Sequence, residues 1–92
     1  MSDKLEFDSV WQALEDDPVR AQNLKLRSEL HMHIIEELRA RRLTQARAAE
    51  ILCVSQPRVS ALMQGQIDPF RLDSLVDFTH RLGLRVAIEV AA

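Results

Sequence analysis

Gln56 and Arg58, set just behind Ser55, are the residues of this sequence best equipped for recognition chemistry. A glutamine amide can donate to N7 and accept from N6 of adenine, and an arginine fork can donate to O6 and N7 of guanine. Both stand at the start of a predicted short helix, the end that reaches base edges when a helix enters the major groove. Residues for other chemistries do not assemble. His31 and His33 lie about 200° apart around a helix and cannot grip one ion. His33 with Glu36 and Glu37 has usable spacing, but a carboxylate–histidine metal site in a bundle needs matching ligands from other helices. Gly65 and Gly83 are the only glycines, so there is no glycine-rich phosphate loop. No zinc-protease signature or serine elbow is present either. The expectation is a protein without catalytic residues, metal or cofactor.

The charge distribution fits a polyanion better than the total does. The net charge of −2 averages over unlike segments. Residues 1–20 hold six acids and two bases, residues 21–64 four acids and seven bases, and residues 65–92 four acids and three bases. Arg39, Arg41, Arg42, Arg47 and Arg58 crowd the middle, and a local basic patch matters more to nucleic acid than the overall balance. At 92 residues, 47% apolar and 28% charged, the chain makes one small globular domain. The longest uncharged run, Val59 to Ile67, is nine residues, far below the roughly 18 of a membrane span. No leader pattern opens the chain, and the single Cys53 fits a reducing compartment, so the expected location is cytoplasmic with no membrane partner.

Several helices must position the recognition residues. Val10, Trp11 and Leu14 suggest a short helix within Asp8–Glu15. Asp17-Pro18 reads as an N-cap followed by a first-turn proline. A long helix follows to about Arg42, with Leu26, Leu30, Ile34 and Leu38 four apart. Thr44 caps a predicted helix Gln45–Leu52, and Ser55 caps another from Gln56 to Gln64, where Gly65 supplies a left-handed end. Asp68-Pro69 repeats the cap-plus-proline signal for a last helix carrying Leu72, Leu75, Val76, Thr79 and Leu82, ending at Gly83. Ala48, Leu52 and Val54 from one short helix and its turn, with Val59 and Leu62 from the next, let the two lock across each other at a steep angle. Ala49 permits close approach of their backbones.

The ending is of a different kind. Leu84, Val86, Ile88 and Val90 alternate with Arg85, Ala87, Glu89 and Ala91, the period of a strand. A lone strand leaves its amides and carbonyls unpaired. The preferred partner is the same strand of a second copy, antiparallel about Ala87, which sets Arg85 opposite Glu89 twice. Lys4–Phe7 as an intrachain partner, and a strand that only covers its own core, are the alternatives.

The stretch Thr44–Gln64, TQARAAEILCVSQPRVSALMQ, resembles the helix-turn-helix of the Xre family, the group of Cro and the phage repressors. The wider chain, residues 5 to 90, is similar to the HigA-like antitoxins, in which a long helix precedes the motif and an ending like GQIDPFRLDSLVDFTHRLGLRVAIEV follows it. One departure is Cys53, where that family's turn usually carries glycine because the backbone is often left-handed. A side chain there costs about 1–2 kcal/mol.

The resemblance implies an all-α, lambda-repressor-like five-helix bundle with one C-terminal strand pairing across a dimer. Residues 1–17 form an acidic segment, 18–83 the DNA-binding domain, and 84–92 the dimerisation strand, with Leu84, Arg85, Val86, Ala87, Ile88, Glu89 and Val90 at the interface. Gln56, Arg58 and Ala61 are the candidate base readers. Arg42, Thr44, Gln45, Arg47, Ser55 and Gln64 are the candidate phosphate contacts. The implied function is a homodimeric repressor on double-stranded DNA, the antitoxin partner of a RelE/HigB-like toxin. A stand-alone Xre-type regulator, or a protein-interaction module that keeps the fold without using DNA, are the alternatives. The acids of residues 1–17 suit a basic toxin or a mask over DNA contacts, but packing of Val10, Trp11 and Leu14 on the long helix is the preferred reading.

Overall fold

Helix α1 (Pro18–Ala40) starts as its sequence predicts: the Asp17 carboxylate accepts from the Arg20 amide at 3.1 Å and Pro18 occupies the first turn. The computed structural model describes residues 17–92, so the predicted helix within Asp8–Glu15 lies outside the described residues. Four helices stand among the described residues: α1, α2 (Gln45–Leu52), α3 (Gln56–Met63) and α4 (Leu72–Arg81). α1 packs along α4 and against α3, while α2 packs against α3 and α4. Ile34 and Leu38 of α1 are buried, but Leu26 is 41% exposed, so the predicted stripe enters the core only over its second half.

α1 stops at Ala40, short of Arg42. Arg42 takes a left-handed conformation, φ 52°, and the Leu43 amide turns back to donate to the Leu38 carbonyl at 3.3 Å. This bond closes the helix end and directs Leu43 onto the core. The core itself joins Ala48, Ala49 and Leu52 of α2 to Val59 and Leu62 of α3, with Leu75, Phe78 and Leu82 from the far side. Val54 packs at its edge.

The predicted cap at Asp68-Pro69 is corrected. Residues 68 and 69 form a turn, and α4 begins at Leu72 behind Arg71, whose side chain makes no cap bond. Phe70 explains the delay. Its ring is fully buried, edge-on to Phe78 at 6.0 Å and tilted against His31 at 5.9 Å. The Arg27 guanidinium of α1 holds the turn in place. Its Nη2 donates at 2.7 Å to the carbonyls of both Ile67 and Phe70, and its Nε donates to Phe70 at 3.1 Å. A helix started at Pro69 would withdraw Phe70 from the core.

The predicted strand over Leu84–Val90 is not formed within the chain, and no strand occurs among the described residues. After Gly83 (φ 76°), the Leu84 amide bonds the Thr79 carbonyl at 2.9 Å and Leu84 rests on the core. Beyond it the tail leaves the domain: Ile88 is 86% and Val90 89% exposed. The alternative in which the strand covers its own core is therefore excluded. A ladder needs a second strand to receive its hydrogen bonds, and the single chain offers none among the described residues.

Candidate nucleic-acid interface

Two short helices with capped, exposed N-termini form the centre of the site. Thr44 Oγ1 accepts from the Arg47 amide at 3.1 Å, and Ser55 Oγ from the Arg58 amide at 3.3 Å. Both caps lie where the sequence puts them. A cap satisfies one first-turn amide and leaves others at the positive end of the helix dipole. On α2 the Gln45 and Ala46 amides remain for an anion. On α3 Pro57 has no N–H, so Gln56 supplies the remaining first-turn amide.

The turn between the helices is left-handed at Cys53, φ 58° and ψ 44°. The Cys53 amide reaches back to the Glu50 carbonyl at 3.3 Å and the Val54 amide to the Ala49 carbonyl at 3.0 Å. These bonds end α2 and carry the chain into Ser55. The strain expected for cysteine at the usual glycine position is thus present. The Arg81 guanidinium lies 3.2 Å from the Cys53 sulfur.

With Val59 and Leu62 buried and about 100° of rotation per residue, the outward face of α3 is made by Gln56, Pro57, Ser60, Ala61 and Gln64. Gln56, Pro57 and Gln64 are exposed, and Ser60 and Ala61 half-buried. Gln64 Nε2 donates to Ser60 Oγ at 3.3 Å, and the Gln64 carbonyl oxygen Oε1 accepts from Gln66 at 3.2 Å, giving one polar chain along this face. Ser60 and Pro57 were missing from the residues singled out in the sequence, although helical periodicity alone places them here.

Arg58 sits elsewhere. It lies on the flank of α3, with its guanidinium 4.7 Å above the Phe70 ring and Nη2 donating to the Pro69 carbonyl at 3.3 Å. Arg47 is exposed and paired with Glu50 at 2.7 Å, an i,i+3 contact that yields readily because exposed pairs contribute about 0–1 kcal/mol. Arg42, Thr44, Gln45 and Ser55 are all exposed. Arg41 turns away instead, pairing with Glu37 at 2.7 Å and donating to the Leu82 carbonyl.

The chain matches a family model described as a helix-turn-helix domain over residues 13–91. The protein belongs to this helix-turn-helix family. No curated protein matches it. A helix-turn-helix domain is a DNA-binding module whose second helix lies in the major groove while the first crosses the backbone. In this helix-turn-helix, α3 is that second helix and α2 the first. No helix among the described residues is long and apolar enough to cross a membrane.

Sequence reasoning missed the residues that hold the module in shape. His31, weighed in the sequence only for metal binding, is buried, and its Nε2 donates to the Leu62 carbonyl of α3 at 2.6 Å. Arg27 and Phe70 fix the turn after α3. A basic residue amid the apolar stripe of α1, and a phenylalanine directly after proline, were the available signals.

Proposed function

We propose that the protein is a sequence-specific repressor that binds an inverted DNA repeat as a homodimer. The observation that carries this reading is the outward face of α3: a polar row, led by Gln56, on the second helix of a helix-turn-helix. In this reading Gln56 pairs with adenine, Ala61 contacts an apolar base edge such as the thymine methyl, and the α2 N-terminus with Gln45 and Thr44 holds a phosphate. Ser55, Gln64, Arg47 and Arg42 are the further phosphate contacts. Arg58 reads guanine or meets a phosphate only by leaving Phe70. That gives up the exposed cation–π contact, about 0.5–1 kcal/mol, together with the bond to the Pro69 carbonyl, which offsets part of the roughly 1–3 kcal/mol a bidentate base contact discriminates.

The tail supports the dimer. Val86, Ile88 and Val90 offer exposed apolar groups at strand spacing, and pairing about Ala87 sets Arg85 against Glu89 of a second copy. The two α3 helices then enter major grooves about 34 Å apart. The similarity of residues 5 to 90 to HigA-like antitoxins supports the narrower reading: repression of its own operon and binding of a small RelE/HigB-like ribonuclease toxin. Its competitor is a stand-alone Xre-type regulator.

Fluorescence anisotropy with a duplex from the protein's own upstream region, against a scrambled duplex at two salt concentrations, tests this. The expected result is salt-sensitive binding with a preference that Gln56→Ala loses by about 1–3 kcal/mol. Equal weak binding to both duplexes ends the autoregulation reading. No binding by folded protein favours an interaction module. Separately, Val86→Pro should convert a dimer to a monomer by solution mass; a dimer that persists places the interface elsewhere.

A further inference from the structure

An open apolar groove of about 1000 Å³ runs between the first half of α1 and the turn after α3. Ala21, Leu24 and Met32 line one side, and Ile67 and Pro69 the other, with Lys25 among the polar residues of the lining. Met32 is 62% exposed, a large apolar side chain facing solvent where a helix surface is normally polar. None of these residues belongs to the outward face of α3. We propose that this groove is the docking site of the chain's own N-terminal segment, with Val10, Trp11 and Leu14 seated in it.

Two observations select that occupant. The first is reach. Pro18 both begins α1 and lines the groove, so the preceding chain leaves from the groove's own lip. Three residues, Glu15 to Asp17, separate Leu14 from Pro18, a length that joins antiparallel helices. The second is pattern. Val10, Trp11 and Leu14 share one side at helical spacing, and an eight-residue helix over Asp8–Glu15 is about 12 Å long. The α1 side of the groove, from Pro18 to Met32, extends about 21 Å at the same rise, room enough for it.

The segment is then an intramolecular cover for this groove, and a protein that took the groove would have to displace it. The proposal is independent of DNA binding.

Trp11 is the single tryptophan, so its emission reports on this contact alone. The experiment compares acrylamide quenching and emission of the full chain with Met32→Asp and Ile67→Asp, one from each side of the groove. Helix content by circular dichroism accompanies each, and Met32 is exposed enough that its replacement spares the core. The expected result is a Trp11 protected in the parent chain at all concentrations, with red-shifted emission and loss of protection in both variants at unchanged helix content. Three results overturn the proposal: a Trp11 as open to quencher as in the unfolded chain, protection that neither variant alters, or protection lost on dilution, which would seat the segment on a second copy.

Discussion

Replacing Arg27 with methionine tests whether one side chain sets the turn that follows the recognition helix. Methionine keeps an unbranched apolar stem while removing the guanidinium, so lost packing contributes little. Two carbonyls lose the guanidinium: Ile67, held at 2.7 Å and still accepting from the Phe70 amide at 3.0 Å, and Phe70, held twice at 2.7 and 3.1 Å. Hydrogen bonds from a charged donor contribute about 1.5–3 kcal/mol each. The site is part-buried, so water recovers some of that, and about 2 kcal/mol for the pair is the expected loss. For a domain of this size such a loss lowers Tm by about 8–16 °C. Urea unfolding followed by circular dichroism should show a lower midpoint at an unchanged slope, since the buried surface is the same. Arg58 grips the same turn from α3 through the Pro69 carbonyl and the Phe70 ring. Arg27→Met combined with Arg58→Ala should therefore depart from additivity by at least about 0.5 kcal/mol. A loss below about 0.5 kcal/mol for Arg27→Met, or strict additivity with Arg58→Ala, would refute the reasoning that the two arginines jointly fix the turn.

Two further outcomes follow from single positions. Cys53→Gly should stabilise the fold by up to about 1 kcal/mol, because relief of the left-handed strain at φ 58° exceeds the added entropy of the unfolded chain; a fall in urea midpoint would contradict it. Phe70→Ala should cost about 3–5 kcal/mol, as a fully buried ring in contact with His31 and Phe78 is lost. Calorimetry would show this as a large drop in Tm, and a small one would mean that the core closes over the vacancy.

The paired short helices were legible because their signals are local. Thr44 and Ser55 precede their helices at capping positions, Pro57 is tolerated in a first turn, and the apolar spacing of Ala48, Leu52, Val59 and Leu62 states which faces meet. The left-handed turn at Cys53 was legible only through resemblance, since cysteine itself carries no signal for positive φ. Local chemistry also misled at Asp68-Pro69, where a good cap signal lost to the burial of Phe70. There the free energy of a ring in the core and of the Arg27 bonds outweighs a cap of about 1 kcal/mol.

What the sequence determined by itself is the pair of short helices, the caps at Asp17, Thr44 and Ser55, and the row of α3 that faces outward, because helical period and capping act within a few residues. Only the tertiary structure decided which of these side chains are free. Arg58 has the chemistry of a base reader in the sequence, and in the fold it lies on Phe70, which stands twelve residues later. His31, weighed in the sequence only as a metal ligand, is a buried donor to α3. The tail reads as a strand, yet no second segment among the described residues pairs it, and the hydrogen bonds that define a strand belong to two segments. Contacts between residues distant in sequence decided each case, and no local pattern encodes them.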